Sequence, residues 1–83
     1  MALVHMYSVV DAKTGVYAAP FVLLTDGQAM RSFIDSAKDE KSMFFAHPED
    51  FSLVRLGDFD DSLGLLVPLP VPLVLMTASQ AVA

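Results

Sequence analysis

The residues best suited to chemistry are concentrated at positions 47–61, which read HPEDFSLVRLGDFDD. Carboxylates and a histidine in one short stretch could hold a metal ion or exchange protons with a substrate. Acidic side chains at a turn can also stay hydrated and cap backbone amides, with no chemical role. Their spacing, and the elements that must position them, bear on which of the three interpretations applies.

Metal-ligand spacing is missing from this segment. An EF-hand loop that began at Asp50 would have the strand-like sequence FSLVRLG where its ligands belong. A loop that began at Asp58 would place Gly64 at its seventh position, whereas the EF-hand glycine is at the sixth. Zinc needs paired histidine or cysteine ligands, but the two histidines are far apart in sequence and cysteine is absent. We therefore predict no metal and no other cofactor.

Enzyme motifs are missing as well. No serine lies in a G-x-S-x-G context, and the four glycines are isolated, so no phosphate-binding loop is present. We predict that the protein is not an enzyme. The acids of DFDD then fit best as a solvated turn that follows a strand.

Composition and charge restrict the possible partners. The chain has 83 residues, which predicts one domain, and its net charge is −5. That charge argues against nucleic-acid binding by a broad basic surface. Apolar residues make up 54% of the chain, which is high for a domain with little interior. We expect part of this apolar surface to be buried against another copy or another protein.

The N-terminal half predicts a β-hairpin followed by a helix. Residues 3–10 and 16–24 read as strands joined by the turn sequence DAKTG, and Pro20 indicates a sheet edge or a bulge in the second strand. The sequence from Thr25 to Gln28 fits a capping box, and an amphipathic pattern then runs to about residue 38.

The C-terminal half predicts a strand and an extended segment. Residues 39–46 read as a loop, residues 51–57 as a third strand and residues 58–64 as a turn. The resulting fold class is α+β: a small antiparallel sheet of β-hairpin, strand and extended C-terminal strand or arm, with one amphipathic helix packed on one face. We predict a core domain at residues 1–65 and a proline-rich apolar arm at residues 66–83 that makes oligomer contacts.

The arm has a proline at every second position of VPLPVP. The apolar run around it is too short for a membrane span, so we expect no membrane contact. Polyproline II and a strand both fit the run. In a strand, these prolines would remove amide donors from one edge only, so the arm could pair on one side and block growth on the other. We expect the final TASQAVA to fray. The predicted oligomer contacts are Val67, Leu69, Val71, Leu73 and Leu75.

Four segments together resemble a known family. They are YSVVDAKTGVY at 7–17, PF at 20–21, DGQAMRSF at 26–33 and HPEDFSLVRLGDFDD at 47–61. They are similar to the small nonstructural protein of gokushovirus-type microviruses, which are single-stranded DNA phages. The resemblance covers residues 6–61, and its last segment is the most specific. It implies a nonstructural protein of the host bacterial cytoplasm, with a role in phage DNA replication or in the switch to packaging single strands.

Two modes of action fit both the resemblance and the charge. A homo-oligomer could bind single-stranded DNA weakly, since bases stack on aromatic side chains and a few cations can suffice. Alternatively, the protein is an adaptor or regulator that contacts a replication or capsid protein and binds no nucleic acid. The residues predicted to contact DNA in the first mode are Lys13, Arg31, Arg55, Tyr7, Tyr17 and Phe21.

Overall fold

A five-stranded antiparallel sheet and three helices make up the part of the chain that the computed structural model describes, residues 3–83. The first two residues of the predicted core domain lie outside this range. The elements are β1 (Leu3–Asp11), β2 (Val16–Tyr17), β3 (Phe21–Leu23), α1 (Asp26–Lys38), α2 (Met43–Ala46), β4 (Phe51–Asp60), β5 (Leu65–Thr77) and α3 (Ala78–Val82). The predicted α+β class is confirmed.

Strand β1 lies next to three other strands. The sheet order is β2-β1-β4-β5, and β3 also pairs with β1. The predicted second strand is split in two, because Ala18, Ala19 and Pro20 interrupt it. Both halves still pair antiparallel with β1, as the hairpin prediction requires.

Helix α1 begins at the predicted cap. The hydroxyl of Thr25 accepts a hydrogen bond from the amide of Gln28 at 3.1 Å. The Gln28 side chain accepts from the amide of Leu24, one residue earlier than a capping box would have it. The helix ends at Lys38, as its periodicity predicts, and packs on the sheet through Ala29, Phe33 and Ala37.

The C-terminal tail forms helix α3, so the prediction that it frays is wrong. Its first turn has a complete capping box between Thr77 and Gln80. Ala78 and Ala81 are buried in the main core, beside α1. The sequence carried this signal, because TASQ has the S/T-x-x-Q spacing of a capping box. The predicted loop at 39–46 also contains one short helix, α2.

Strand β4 bends at a bulge. Met6 pairs with Gly57. The next residue of β1, Tyr7, pairs with Arg55, so Leu56 is left without a partner on β1. An extra residue of this kind bends the strand and changes which side chains share a face.

The pairing of β4 with β5 is interrupted at the same point. Gly57 pairs with Pro68, and the ladder resumes only at Leu73, so residues 69–72 stand opposite the single bulged Leu56. Two of the three prolines of VPLPVP lie in this excursion. Of the two structures that the proline run allowed, the arm forms a strand, and this strand pairs with β4 on one side. Its ladder is irregular at residues 69–72, because prolines cannot donate to it.

The core lies between the helices and one end of the sheet. Its buried members are Tyr7, Val9, Ala29, Phe33, Ala37, Phe51, Leu53, Ala78 and Ala81. Residues 57–72, which we name the distal hairpin, contribute no side chain to this cluster or to the partly buried residues packed against it in the described chain. The helical layer therefore leaves this part of the sheet outside the core.

Candidate functional site

A polar network joins the sheet to the start of α1. It consists of His5 and Tyr7 on β1, Arg55 and Asp58 on β4, and Asp26 at the first position of α1. Side chains three residues apart on a regular strand point to opposite faces. The bulge lies between Arg55 and Asp58 and supplies the extra residue that lets them meet.

Each carboxylate of the network lies between two donors. Asp58 Oδ1 is 2.6 Å from the Nδ1 atom of His5 and 2.8 Å from a terminal nitrogen of Arg55. Asp26 accepts from the hydroxyl of Tyr7 at 2.7 Å, and its other oxygen is 3.5 Å from the second terminal nitrogen of Arg55. Within residues 3–83, the buried Nε of Arg55 has no hydrogen-bond partner.

The network shifts the acidity of its members. The hydrogen bond from His5 is the largest cause that lowers the pKa of Asp58 below its usual 3.8; burial opposes the shift, and Arg55 reinforces it. Burial, followed by the hydrogen bond to Asp26, raises the pKa of Tyr7 far above its usual value. Burial lowers the pKa of Arg55, but the hydrogen bond and charge of Asp58 outweigh it and the net shift is upward. Asp58 is thus held as an anion between cationic or polar donors, and Tyr7 is held as a neutral donor.

This arrangement is suited to fixing α1 against the sheet. A histidine held by an aspartate is also part of nucleophilic triads, but there the second ring nitrogen must meet a serine or cysteine. Ser8, also on β1, donates its hydroxyl to the carbonyl of Ala18 at 2.7 Å and is not bonded to His5. The network ties β1, β4 and α1 together through hydrogen bonds among its own side chains.

The acids of residues 47–61 lie in different environments. Asp58 is part of β4 and the network, so the turn predicted to begin at this residue begins three positions later. The carboxylate of Asp60 accepts from the amides of Ser62 and Leu63 at 2.9 and 3.2 Å, which is the capping role we predicted for this turn. The prediction that these acids are solvated is wrong for Asp60, which is buried.

Among the described residues, one further group of side chains is close enough together to hold a metal ion. The ligand atoms of His47, Glu49 and Asp50 lie within 4.8 Å of one another. Together with Lys13, they line an open cavity of about 400 Å³. His47 and Glu49 are exposed, so water solvates these groups and the geometry alone does not identify a cation site.

The six residues predicted to contact DNA do not form one surface. Tyr7 is 0% exposed, and Arg55 is held by two carboxylates. Phe21 stacks on Tyr7 with ring centroids 5.7 Å apart and packs against the core. The other three are exposed but lie on different elements: Lys13 in the β1–β2 turn, Tyr17 on β2 and Arg31 on α1.

The predicted oligomer contacts fall in three environments. Val67, Val71 and Leu73 are half exposed or more, whereas Leu75 packs against the core. Leu69 is half-buried within the excursion of β5. The distal hairpin also exposes leucines that the prediction did not include: Leu63, Leu65 and Leu66 are 68%, 55% and 64% exposed.

Comparison with known proteins assigns the chain to a family. Within residues 3–83, no helix is both long and apolar enough to cross a membrane. Neither a curated protein nor a solved structure matches the chain. A family model described as Phage ORF5 protein matches residues 4–81, which span the whole sheet and all three helices except for a few terminal residues. The chain therefore belongs to the Phage ORF5 protein family.

Proposed function

We propose that this phage protein is a non-enzymatic accessory factor that acts through protein–protein contacts. It would act in the host bacterial cytoplasm, either in replication of a single-stranded DNA genome or in the switch from duplex replication to packaging. The observation that carries the proposal is the distal hairpin, where five leucine and valine residues are more than half exposed: Leu63, Leu65, Leu66, Val67 and Val71. Exposed apolar surface of this extent marks interaction sites in small proteins.

Charge distribution supports the same assignment. No side chain from residue 62 to residue 83 is charged, and the net charge of −5 comes from the rest of the chain. An uncharged apolar patch with acidic surroundings suits a protein partner better than a phosphate backbone. The proposed partners are a second copy and a phage replication or capsid protein.

The polar network supports a structural role over catalysis. Its carboxylates are engaged by His5, Arg55 and Tyr7, which join three elements of the fold. Such a network positions α1 against the sheet through side chains that bond to one another.

The proposal is tested by complementation of a phage that lacks this gene. Double-stranded replicative DNA and packaged single strands are quantified in infected cells that supply the wild-type protein, Leu66→Glu or Leu24→Glu. Leu24 lies outside the distal hairpin and is similarly exposed, at 58%, so its variant is the matched control. We expect wild type and Leu24→Glu to restore the ratio of the two DNA forms, and Leu66→Glu to fail. Full rescue by Leu66→Glu would refute the distal hairpin as the contact surface. A normal ratio of the two DNA forms in the gene-deleted phage would refute a role in replication or packaging.

A second candidate function is weak single-strand binding by an oligomer. It is favoured by Lys13 and Tyr17, which are both exposed near the β1–β2 turn, where a base could stack beside a cation. Each copy would supply one such pair, so several copies would be needed to hold a strand.

Fluorescence anisotropy with a labelled single strand of about thirty bases distinguishes the two candidates. Single-strand binding predicts affinity at low salt that falls steeply toward physiological salt, and loss of that affinity in Lys13→Glu. The control is Lys38→Glu, which makes the same change of charge at the exposed last residue of α1. Absence of binding at low salt would remove this candidate and leave the protein-contact function.

A further inference from the structure

We propose that the occupant of the distal hairpin is a second copy of this chain, packed face to face through the same hairpin. The inference deepens the proposed function, on which it rests, by naming the partner of that surface. It makes the functional form a symmetric dimer with an isologous interface.

The size and shape of the subunit provide the first argument. A compact monomer of 9.0 kDa should expose about 4,850 Å², whereas this chain exposes 5270 Å². Its radius of gyration is 13.0 Å, above the roughly 12 Å of a compact chain of this length, and its longest dimension is 40 Å. The subunit thus has surplus surface, and the distal hairpin is where apolar side chains remain outside the core.

The chemistry of the surface selects the occupant. Two copies that each carry a charge of −5 repel wherever their acidic surfaces meet. Most of the hairpin is free of this repulsion, because Asp58 is paired within the network, Asp60 is buried as a cap and the exposed Asp61 lies at the turn, outside the uncharged residues 62–72. A basic partner would instead be drawn to the acidic surfaces, away from residues 62–72, which carry no charged side chain.

The backbone favours packing through faces over pairing through edges. The ladder of β5 is irregular at residues 69–72, and Pro70 and Pro72 in this stretch have no amide donors, so it is a poor template for a second strand paired along its edge. One face also has an apolar cavity of about 210 Å³, lined by Met6, Leu56, Gly57, Leu66, Val67 and Pro68. In a symmetric dimer, an apolar side chain of each copy fills the cavity of the other.

Sedimentation equilibrium over a wide concentration range tests the inference. We expect wild type and Leu24→Glu to reach twice the 9.0 kDa subunit mass, and Leu66→Glu to stay at 9.0 kDa. Val71→Glu, at a position that is 71% exposed, is the second interface variant in case Leu66→Glu fails to fold. Circular dichroism confirms that each protein compared is folded.

Salt provides an independent readout. Added salt screens the repulsion between two acidic copies and leaves the apolar contact intact, so dimerisation should strengthen from low to high salt. A wild-type monomer at every concentration and salt would overturn the inference, as would equal effects of Leu66→Glu and Leu24→Glu. If the wild type is monomeric but Leu66→Glu still fails in complementation, only the identity of the partner is refuted; if Leu66→Glu also complements, the proposed function fails as well.

Discussion

At the scale of single residues, the central group is Asp58. It accepts from His5 on a neighbouring strand and from Arg55 on its own, and both of these partners are about four-fifths buried. Removing one member of such a partly buried network leaves the others desolvated without compensation. Asp58 therefore contributes more to stability than the exposed acids elsewhere on the chain.

Replacing Asp58 with asparagine should lower the free energy of unfolding at neutral pH by about 1–3 kcal/mol, because the charge-assisted bonds to Arg55 and His5 are lost. The pKa of Asp58 is lower in the folded state than its usual 3.8. Its stabilisation is therefore present above that value and is lost as the pH falls through the folded-state pKa. Urea unfolding of both proteins from neutral pH into the acid range should show their difference shrinking below pH 3.8.

The control is Asp35→Asn, an exposed acid on α1, which we expect to change stability by less than about 0.5 kcal/mol. A difference between wild type and Asp58→Asn that does not depend on pH would contradict the role of the charge.

At the scale of elements, the bulge of β4 decides how the sheet is built. It aligns Arg55 with Asp58, ends the regular ladder with β5 and coincides with the proline excursion. Gly57 follows the bulge and is buried. A Cβ atom at this position would clash with the carbonyl oxygen of Val67 and lie 2.8 Å from Pro68 Cα, so the two backbones can approach only because residue 57 is glycine.

Gly57→Ala should therefore destabilise the fold by about 1–3 kcal/mol, since backbone atoms must shift to accommodate the methyl group. Gly27→Ala is the matched control: its nearest contact would be Thr25 Oγ1 at an ordinary 3.8 Å, and alanine favours a helix. We expect that control to be neutral or slightly stabilising in thermal unfolding. Equal melting temperatures for wild type and Gly57→Ala would contradict the close approach of β4 and β5.

At the scale of the whole molecule, the C-terminal residues are part of the core fold. Strand β5 completes the sheet beside β4, and α3 places Ala78 and Ala81 against α1. The segment 66–83 therefore has two roles: its first part belongs to the exposed distal hairpin, and its second part closes the core. Because an 83-residue chain buries a small core, loss of a few buried residues should destabilise the whole fold.

Truncation after residue 65 should give an unfolded or aggregated chain, because both the edge strand and two buried alanines are removed. Circular dichroism and amide dispersion in NMR spectra would measure this. The full-length Leu66→Glu protein is the control, since an exposed substitution should leave the fold intact. A truncated chain with cooperative unfolding would show that residues 1–65 form an independent domain.

The sequence alone determined the elements whose signals are local. The hydrophobic period of residues 29–37 and the Thr25 cap depend only on neighbouring residues, and α1 and its cap follow from them. Pro20 was a local signal as well, but we expected it to mark an edge or a bulge in one strand, and the strand is split there. The capping box at Thr77 was equally local, although we expected this tail to fray.

Tertiary structure decided the features that depend on pairing between distant segments. Strand register fixed the bulge at Leu56, which lets Arg55 contact Asp58. The fold then places Asp58 beside His5 and Arg55 beside Asp26. Period-two alternation has no local marker for an inserted residue, so sequence spacing could place neither this network nor the excursion at 69–72. Burial of Tyr7 was settled in the same way, because a strand residue is covered or exposed according to the elements that pack on its face.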